Sequence, residues 1–184
     1  MEDEKKGNVL DDRGLIFLCG ELDTGQASQL NRRIIEMNLQ PKTDFIQLMI
    51  SCPGGSVDAG FALIDLMQWS RLPVYTTGFG LVASMGLSVL MAGAPGHRVL
   101  TPRATLMSHR FWTLSGGNYS GLVARRKIED LTHRRILDHY MECTKLKDAM
   151  EVEAQLLRDV DTWLTPKEAV ELGVVDRVHE RNVV

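Results

Sequence analysis

Three short apolar runs, each followed by a segment with helical spacing, constrain the fold of this chain most strongly. The runs are Leu15–Cys19, Phe45–Ser51 and Val74–Thr77. Apolar runs this short are typical of strands covered on both faces, and apolar residues recur every three or four positions between them. The β-α-β-α-β-α order predicts an α/β fold with a mostly parallel sheet, covering helices and right-handed crossovers. The functional site is then expected at the carboxyl ends of the strands.

Length and composition exclude several classes of protein. The chain has 184 residues, 44% of them hydrophobic, so we expect one domain over residues 14–184 behind a flexible polar segment, 1–13. A net charge of −3 argues against a nucleic-acid partner. Cys19, Cys52 and Cys143 are far apart in the sequence and suggest neither a disulfide framework nor a zinc site. The charged N-terminus predicts neither a signal peptide nor a membrane span, which favours a cytoplasmic location.

A serine stands where the third apolar run leads into a helix. The stretch from Gly78 to Gly93 predicts a glycine-rich turn and then a buried helix, with Ser84 at the junction. The first backbone N–H groups of a helix have no partners within the helix, so they can stabilise an oxyanion beside the Ser84 hydroxyl. A serine that only caps the helix is the alternative interpretation.

Two further side chains complete a candidate nucleophilic set. His109 ends a predicted strand that begins at Ala104, and Asp161 lies in a loop before the capping box Thr165–Glu168. A serine hydroxyl needs a base to take its proton, and an imidazole base works best when a carboxylate fixes its tautomer. Spacing along the chain does not by itself bring Ser84, His109 and Asp161 together, and a structural role is the alternative for a histidine at the end of a strand.

A long, highly charged helix is predicted over residues 120–146. Its thin apolar stripe consists of Leu122, Leu131, Ile136 and Tyr140. Such a helix is expected to project from the domain and to pack on another subunit, although a solvated face is the alternative. The remaining predicted elements are a helix over residues 147–157, a helix after the capping box that ends at Gly173, and a final strand, Val174–Val178.

Five blocks of sequence resemble, in order and spacing, the proteolytic subunit of the Clp protease. The blocks are Gly14–Gly20, Ile50–Gly55, Val82–Gly86 with Ala92-Gly93, Leu106–His109 and Asp161–Ala169. The resemblance spans about residues 14 to 179 and implies the crotonase-like fold of that family.

The resemblance also implies roles for individual residues. Ser84 would be the nucleophile, His109 the general base and Asp161 its orienting carboxylate. The N–H groups of Gly55 and Met85 would form the oxyanion hole. Val57 and Phe111 would bind the substrate. Val57 and Met85 would line the pocket beside Ser84, which favours an apolar residue before the cut.

At the level of the assembly, the resemblance implies a serine endopeptidase that cleaves unfolded polypeptides into short peptides. Its subunits would form a homo-oligomer of heptameric rings, two of them stacked, with the long helix as a handle at the ring interface. No cofactor is implied for this subunit, because ATP is used by a partner, an AAA+ unfoldase of the Clp type.

The chain departs from the family pattern at three places. Arg110 to Ser115 replace the usual Gln-Pro after His109, which affects the strand that aligns substrate. Asp159-Val160 lacks the arginine that usually makes an inter-ring contact, which predicts weaker stacking of the rings. The hydrophobic pocket that receives a loop of the unfoldase is altered, which argues against docking of the usual ATPase. Its positions read Met49, Trp69, Thr77 and Val99.

Other functions suit the sequence less well. A structural, catalytically weak ring subunit would have lost triad residues, and all three are present. A crotonase-like acyl-CoA enzyme also holds an oxyanion with two N–H groups, but it has no need of a Ser-His-Asp set. A relative of the membrane-bound signal-peptide peptidases would need a serine–lysine dyad and a membrane anchor, and the sequence predicts no such anchor.

Overall fold

The computed structural model describes residues 9–114 and 116–180, which form seven helices and seven strands. The helices are α1 (Val9–Asp12), α2 (Thr24–Leu39), α3 (Val57–Trp69), α4 (Met85–Met91), α5 (Tyr119–Cys143), α6 (Ala149–Gln155) and α7 (Pro166–Glu171). The strands are β1 (Leu15–Cys19), β2 (Ile46–Cys52), β3 (Val74–Ala83), β4 (Arg98–Leu100), β5 (Thr105–Ser108), β6 (Thr162–Leu164) and β7 (Arg177–Val178).

The strands form one mostly parallel sheet. Its main path runs β1-β2-β3-β4-β7, and every neighbouring pair along it is parallel. β5 pairs in parallel with the end of β3, and β6 adds to β5 as the antiparallel strand. The predicted α/β class with a mostly parallel sheet is therefore confirmed.

The core lies between one face of the sheet and the helices α2, α3 and α4. Alternate residues of β1 and β2, such as Leu18 and Leu48, pack there against apolar side chains of the three helices. The other face is only partly covered, and Phe17 and Phe45 remain 37% exposed. The expectation that these strands are covered on both faces is therefore wrong within this chain, because its helices pack on one side of β1 and β2.

The glycine-rich stretch before Ser84 is strand rather than turn. β3 continues from Val74 to Ala83, and a register shift lies between its pairs Ile50↔Gly78 and Cys52↔Val82. Within this bulge Gly80 has a φ of 62°, a conformation that glycine adopts at little cost. The bulge lets one strand pair with β4 through its first part and with β5 through its last three residues.

The long helix α5 is buried only toward its carboxyl end. Ile136, Leu137, His139 and Tyr140 lie in the core, so Ile136 and Tyr140 do not need cover from another subunit, contrary to the prediction. The apolar side chains nearer its start do remain uncovered. Leu122, Val123, Ile128 and Leu131 are between 41% and 64% exposed.

The ends of several elements differ from the prediction. α6 begins only after Asp148, whose carboxylate caps its first N–H groups, and the last strand is shortened to Arg177–Val178. The capping box of Thr165 and Glu168 is confirmed, with Gly173 at a positive φ beyond the helix end. Of the segment predicted to be flexible, residues 1–8 lie outside the described residues, and Val9–Asp12 form a short helix.

Over residues 9–114 and 116–180, no helix combines the length and apolar character needed to cross a membrane.

Candidate active site

Ser84 occupies a strained junction between β3 and α4. Its φ of 52° makes it the only non-glycine residue with positive φ in the described part of the chain. Its N–H donates to the carbonyl of Met107 over 2.9 Å, which ties the junction to β5. The side chain makes no capping hydrogen bond to α4. The alternative of a simple capping serine therefore does not describe its hydroxyl, and backbone strain of this kind often marks functional sites.

Two glycines leave room for this geometry. A Cβ on Gly54, which has a φ of 116°, would lie 2.6 Å from the Cβ of Ser84. A Cβ on Gly86 would lie 2.7 Å from the carbonyl oxygen of Cys52. Both distances are too short for any side chain, so glycine lets the loop after β2 pack directly against the serine.

His109 reaches Ser84 because β5 pairs with the last residues of β3. Ala83 pairs with Met107, so Ser84, which follows β3, lies close to His109, which follows β5. Nε2 of His109 lies 2.8 Å from Oγ of Ser84, within normal hydrogen-bond distance. The structure thus brings together a serine hydroxyl and an imidazole that are 25 residues apart in sequence.

Asp161 lies on the far side of the same imidazole. β6 runs antiparallel to β5 with Ser108 opposite Thr162, so the residue before β6 stands near the residue after β5. Oδ1 of Asp161 is 3.8 Å from Nδ1 of His109, which is an ion-pair distance rather than a hydrogen bond. The Asp161 side chain is 53% exposed.

The backbone around Gly55 and Met85 offers candidate oxyanion donors. Leu22 pairs with Gly55 in a parallel bridge whose two hydrogen bonds use the Gly54 carbonyl and the Ser56 N–H. The N–H of Gly55 consequently points away from Leu22. Met85 is the first residue of α4, so its N–H has no acceptor within the helix.

A narrow cleft with a volume of about 20 Å³ adjoins the serine and the histidine. Val57 and Phe111, both predicted to bind substrate, line it together with Met85. Three other residues line the cleft that were not predicted to do so from the sequence: Ser88, Ile136 and Tyr140. The spacing of four between Ile136 and Tyr140 indicated a shared helix face, but it did not say what that face covers.

One lining residue of this cleft, Tyr140, belongs to a buried hydrogen-bonded pair. The Tyr140 hydroxyl and Oγ of Ser108, the residue before His109, are 2.9 Å apart. Burial raises the pKa of Tyr140, so its hydroxyl stays protonated at neutral pH. The pair therefore fixes the end of β5, one residue before His109, to α5.

Two of the three cysteines are poor rivals to Ser84 as nucleophiles. Burial raises the pKa of the Cys143 thiol to about 11 and also raises the pKa of Cys52. A thiol reacts as its thiolate, so both groups are largely unreactive at neutral pH.

A serine hydroxyl bonded to an imidazole, with a carboxylate beyond it, is typical of hydrolases that attack acyl carbons. Comparison with known proteins identifies the protein family within that class of hydrolases. The family model described as Clp protease matches residues 3–182. The chain therefore belongs to the Clp protease family, with its crotonase-like fold and peptidase activity.

Curated relatives agree with this assignment. The chain is 34% identical over 181 residues to the ATP-dependent Clp protease proteolytic subunit 1 of Protochlamydia amoebophila (strain UWE25), covering 97% of this chain and 85% of the relative. It is 35% identical over 165 residues to the proteolytic subunit 2 of Nocardia farcinica (strain IFM 10152), covering 89% and 79%. Subunit 2 of Rhodococcus jostii (strain RHA1) is 35% identical over 167 residues, covering 91% and 84%.

Proposed function

We propose that this chain is the serine endopeptidase subunit of a self-compartmentalised Clp protease. It cleaves unfolded polypeptides into short peptides through Ser84, His109 and Asp161. The observation that carries the proposal is the 2.8 Å contact between Nε2 of His109 and Oγ of Ser84 at a strained strand-to-helix junction. The Ser84 hydroxyl bonds to an imidazole instead of capping the helix, and a nucleophilic serine needs such a neighbouring base.

The reaction follows from these contacts. His109 takes the proton of Ser84 as Oγ attacks the scissile carbonyl, and the N–H groups of Gly55 and Met85 stabilise the oxyanion. Asp161 stabilises the imidazolium, which then gives its proton to the leaving amine. Water, activated by the same imidazole, releases the acyl group from Ser84. The side chains and backbone groups supply every step, so we propose that this subunit uses no cofactor.

The cleft next to Ser84 would receive the side chain that precedes the scissile bond. Its lining by Val57, Met85 and Phe111 favours an apolar side chain. An apolar pocket discriminates by only about 1–3 kcal/mol per methylene group, so the preference is expected to be broad.

We further propose that the chain functions in the cytoplasm as a homo-oligomer, with heptameric rings stacked in pairs. The uncovered apolar residues near the start of α5 and the open face of the sheet support contacts with further copies. A Clp-type AAA+ unfoldase would consume ATP and deliver polypeptides. Its docking contacts are expected to differ from the family pattern at four positions: Met49, Trp69, Thr77 and Val99.

Active-site labelling tests the catalytic proposal directly. A fluorophosphonate probe is expected to modify the wild-type chain at Ser84, because among residues 9–114 and 116–180 this is the one hydroxyl bonded to an imidazole that can take its proton. Peptide mapping by mass spectrometry locates the modified residue. Ser28→Ala, at an exposed serine of α2, is the matched control and should label like the wild type. A wild-type chain that is not labelled would instead be a structural ring subunit or an acyl-CoA enzyme.

Activity is expected to depend on assembly through α5. Dilution should split stacked rings into single rings, and peptidase activity should fall with the split. We expect this transition at a higher protein concentration than in relatives that carry the usual arginine, because Val160 cannot make that inter-ring ion pair. Sedimentation velocity and peptidase assays over one dilution series measure both quantities. A fully active monomer, or unchanged activity while the rings separate, would contradict this dependence.

A further inference from the structure

The loops that carry His109 and Asp161 are joined by four ionisable side chains, here named the Arg110 cluster: Arg110, His133, Glu153 and Asp159. Nη1 of Arg110 donates to Oδ1 of Asp159 over 2.9 Å, and Nη2 lies 3.6 Å from Oε1 of Glu153. The same oxygen of Glu153 lies 3.0 Å from Nε2 of His133 on α5. One guanidinium therefore links α6 to the loop that leads to Asp161.

The backbone adds a second connection at the same place. The N–H of Arg110 donates to the carbonyl of Arg158 over 3.4 Å. On the other side of the site, the β5–β6 ladder ends at the pair Ser108↔Thr162. His109 and Asp161 thus lie between two attachments, one made by the sheet and the other by Arg110.

Asp161 depends on these attachments because little else holds its carboxylate. The side chain is half-exposed, and its distance of 3.8 Å from His109 is too long for a hydrogen bond. Within residues 9–114 and 116–180, His109 is the only ion-pair partner of this carboxylate. Its position is consequently set by the backbone of the loop, and a displacement of about 1 Å at a reacting centre can reduce the rate about 100-fold.

We propose that Arg110 is a positioning residue that holds the loop of residues 158–161 against His109, so that the Asp161 carboxylate stays on the imidazole. This inference rests on the proposed function, since it gives Arg110 a purpose only if His109 and Asp161 act in catalysis. Arg110 stands where the sequence departs from the resembled pattern, and its partner Asp159 lies beside the position of the missing arginine. A contact within one chain thus steadies this loop.

A stabilising role for the whole fold does not explain the cluster. The Asp159 side chain is 87% exposed and that of Arg110 is 41% exposed. Exposed ion pairs add little to the free energy of unfolding, because solvent screens them and long side chains lose freedom on pairing. We therefore expect substitutions of Arg110 to change the rate of catalysis while the Tm stays close to that of the wild type.

The test compares Arg110→Gln, Arg110→Lys, Asp161→Asn and the double variant Arg110→Gln/Asp161→Asn in the full chain. Arg32→Gln is the matched control, because Arg32 forms an exposed ion pair with Glu36 on α2. The measurements are kcat and KM on a short fluorogenic peptide, the rate of fluorophosphonate labelling at Ser84, and the Tm. Arg110→Gln is expected to lower kcat about 10- to 100-fold with little change in KM, and Arg110→Lys should restore most of it.

The double variant identifies the route by which Arg110 acts. If it acts through Asp161, adding Arg110→Gln to Asp161→Asn should change the labelling rate by less than about 2-fold. The inference is overturned if the losses in labelling rate caused by Arg110→Gln and Asp161→Asn multiply in the double variant, or if Arg110→Gln has no more effect than Arg32→Gln. It is also overturned if Arg110→Gln lowers both kcat and the Tm and Arg110→Lys does not restore the Tm. A wild-type chain that neither hydrolyses peptide nor labels at Ser84 overturns the proposed function as well. An active wild type with an unaffected Arg110→Gln variant overturns only the role of Arg110.

Discussion

Ser84→Ala is expected to lower the hydrolysis of short fluorogenic peptides by about five to six orders of magnitude, as the loss of a triad nucleophile does elsewhere. The substitution removes one hydroxyl whose hydrogen bond goes to His109 and not to the helix. Packing around it changes little, so the Tm and the oligomeric state should match the wild type. Steady-state assays with circular dichroism and sedimentation velocity on the same sample measure all three quantities.

Ser28→Ala serves as the control for the loss of a serine hydroxyl. It lies on the exposed side of α2, outside the site, and should retain full turnover. If Ser84→Ala hydrolyses peptide at a rate near that of the wild type, Ser84 is not the nucleophile. The contact with His109 would then have only a structural role.

Asp161→Asn is expected to reduce turnover by about 10²- to 10⁴-fold, since an amide favours the wrong imidazole tautomer and cannot stabilise the imidazolium. We expect a value below the upper end of that range, because the carboxylate is half-exposed and stands 3.8 Å from Nδ1 of His109. KM should change little, since the side chain lies outside the cleft that would receive substrate. Initial rates over a range of peptide concentrations separate kcat from KM.

A matched substitution distinguishes the loss of the Asp161 carboxylate from the loss of a carboxylate elsewhere on the protein. Asp65→Asn removes an exposed carboxylate of α3 and should leave turnover unchanged. Equal turnover in Asp161→Asn and Asp65→Asn would mean that another group orients His109. The rate of fluorophosphonate labelling provides a second readout, since it reports on the reactivity of Ser84 without the later deacylation step.

Local patterns in the sequence determined much of the fold. Apolar runs and helical spacing predicted β1, β2 and the helices that follow them, because alternate or periodic burial is visible in a single segment. The capping box at Thr165 is equally local, since its two hydrogen bonds join residues three apart. The candidate side chains Ser84, His109 and Asp161 were also identifiable from the sequence, although their meeting was not.

The tertiary structure decided which of these residues come into contact. Ser84 meets His109 because β3 continues beyond the bulge at Gly80, where it still pairs with β2 at Val82 and its last three residues pair with β5. The glycines there had predicted a turn, since their preference for turns is local whereas the bulge depends on two neighbouring strands. In the same way, Tyr140 is buried because the carboxyl end of α5 packs against α4 and α6, where its hydroxyl meets Ser108 of β5. Periodicity along α5 carries no information about those neighbours.

One physical reason explains why some features could be predicted from the sequence and others were decided by the tertiary structure. Helices, caps and strand patterns depend on interactions between residues close in sequence, and a single segment contains all the information that they need. The Ser84–His109 hydrogen bond and the ion pair of Arg110 with Asp159 join residues 25 and 49 positions apart. Strand register and loop packing set such contacts, and these are determined only when distant segments bury their surfaces against one another. The sequence by itself thus determined the chemical groups and their local frames, whereas the tertiary structure decided their mutual geometry.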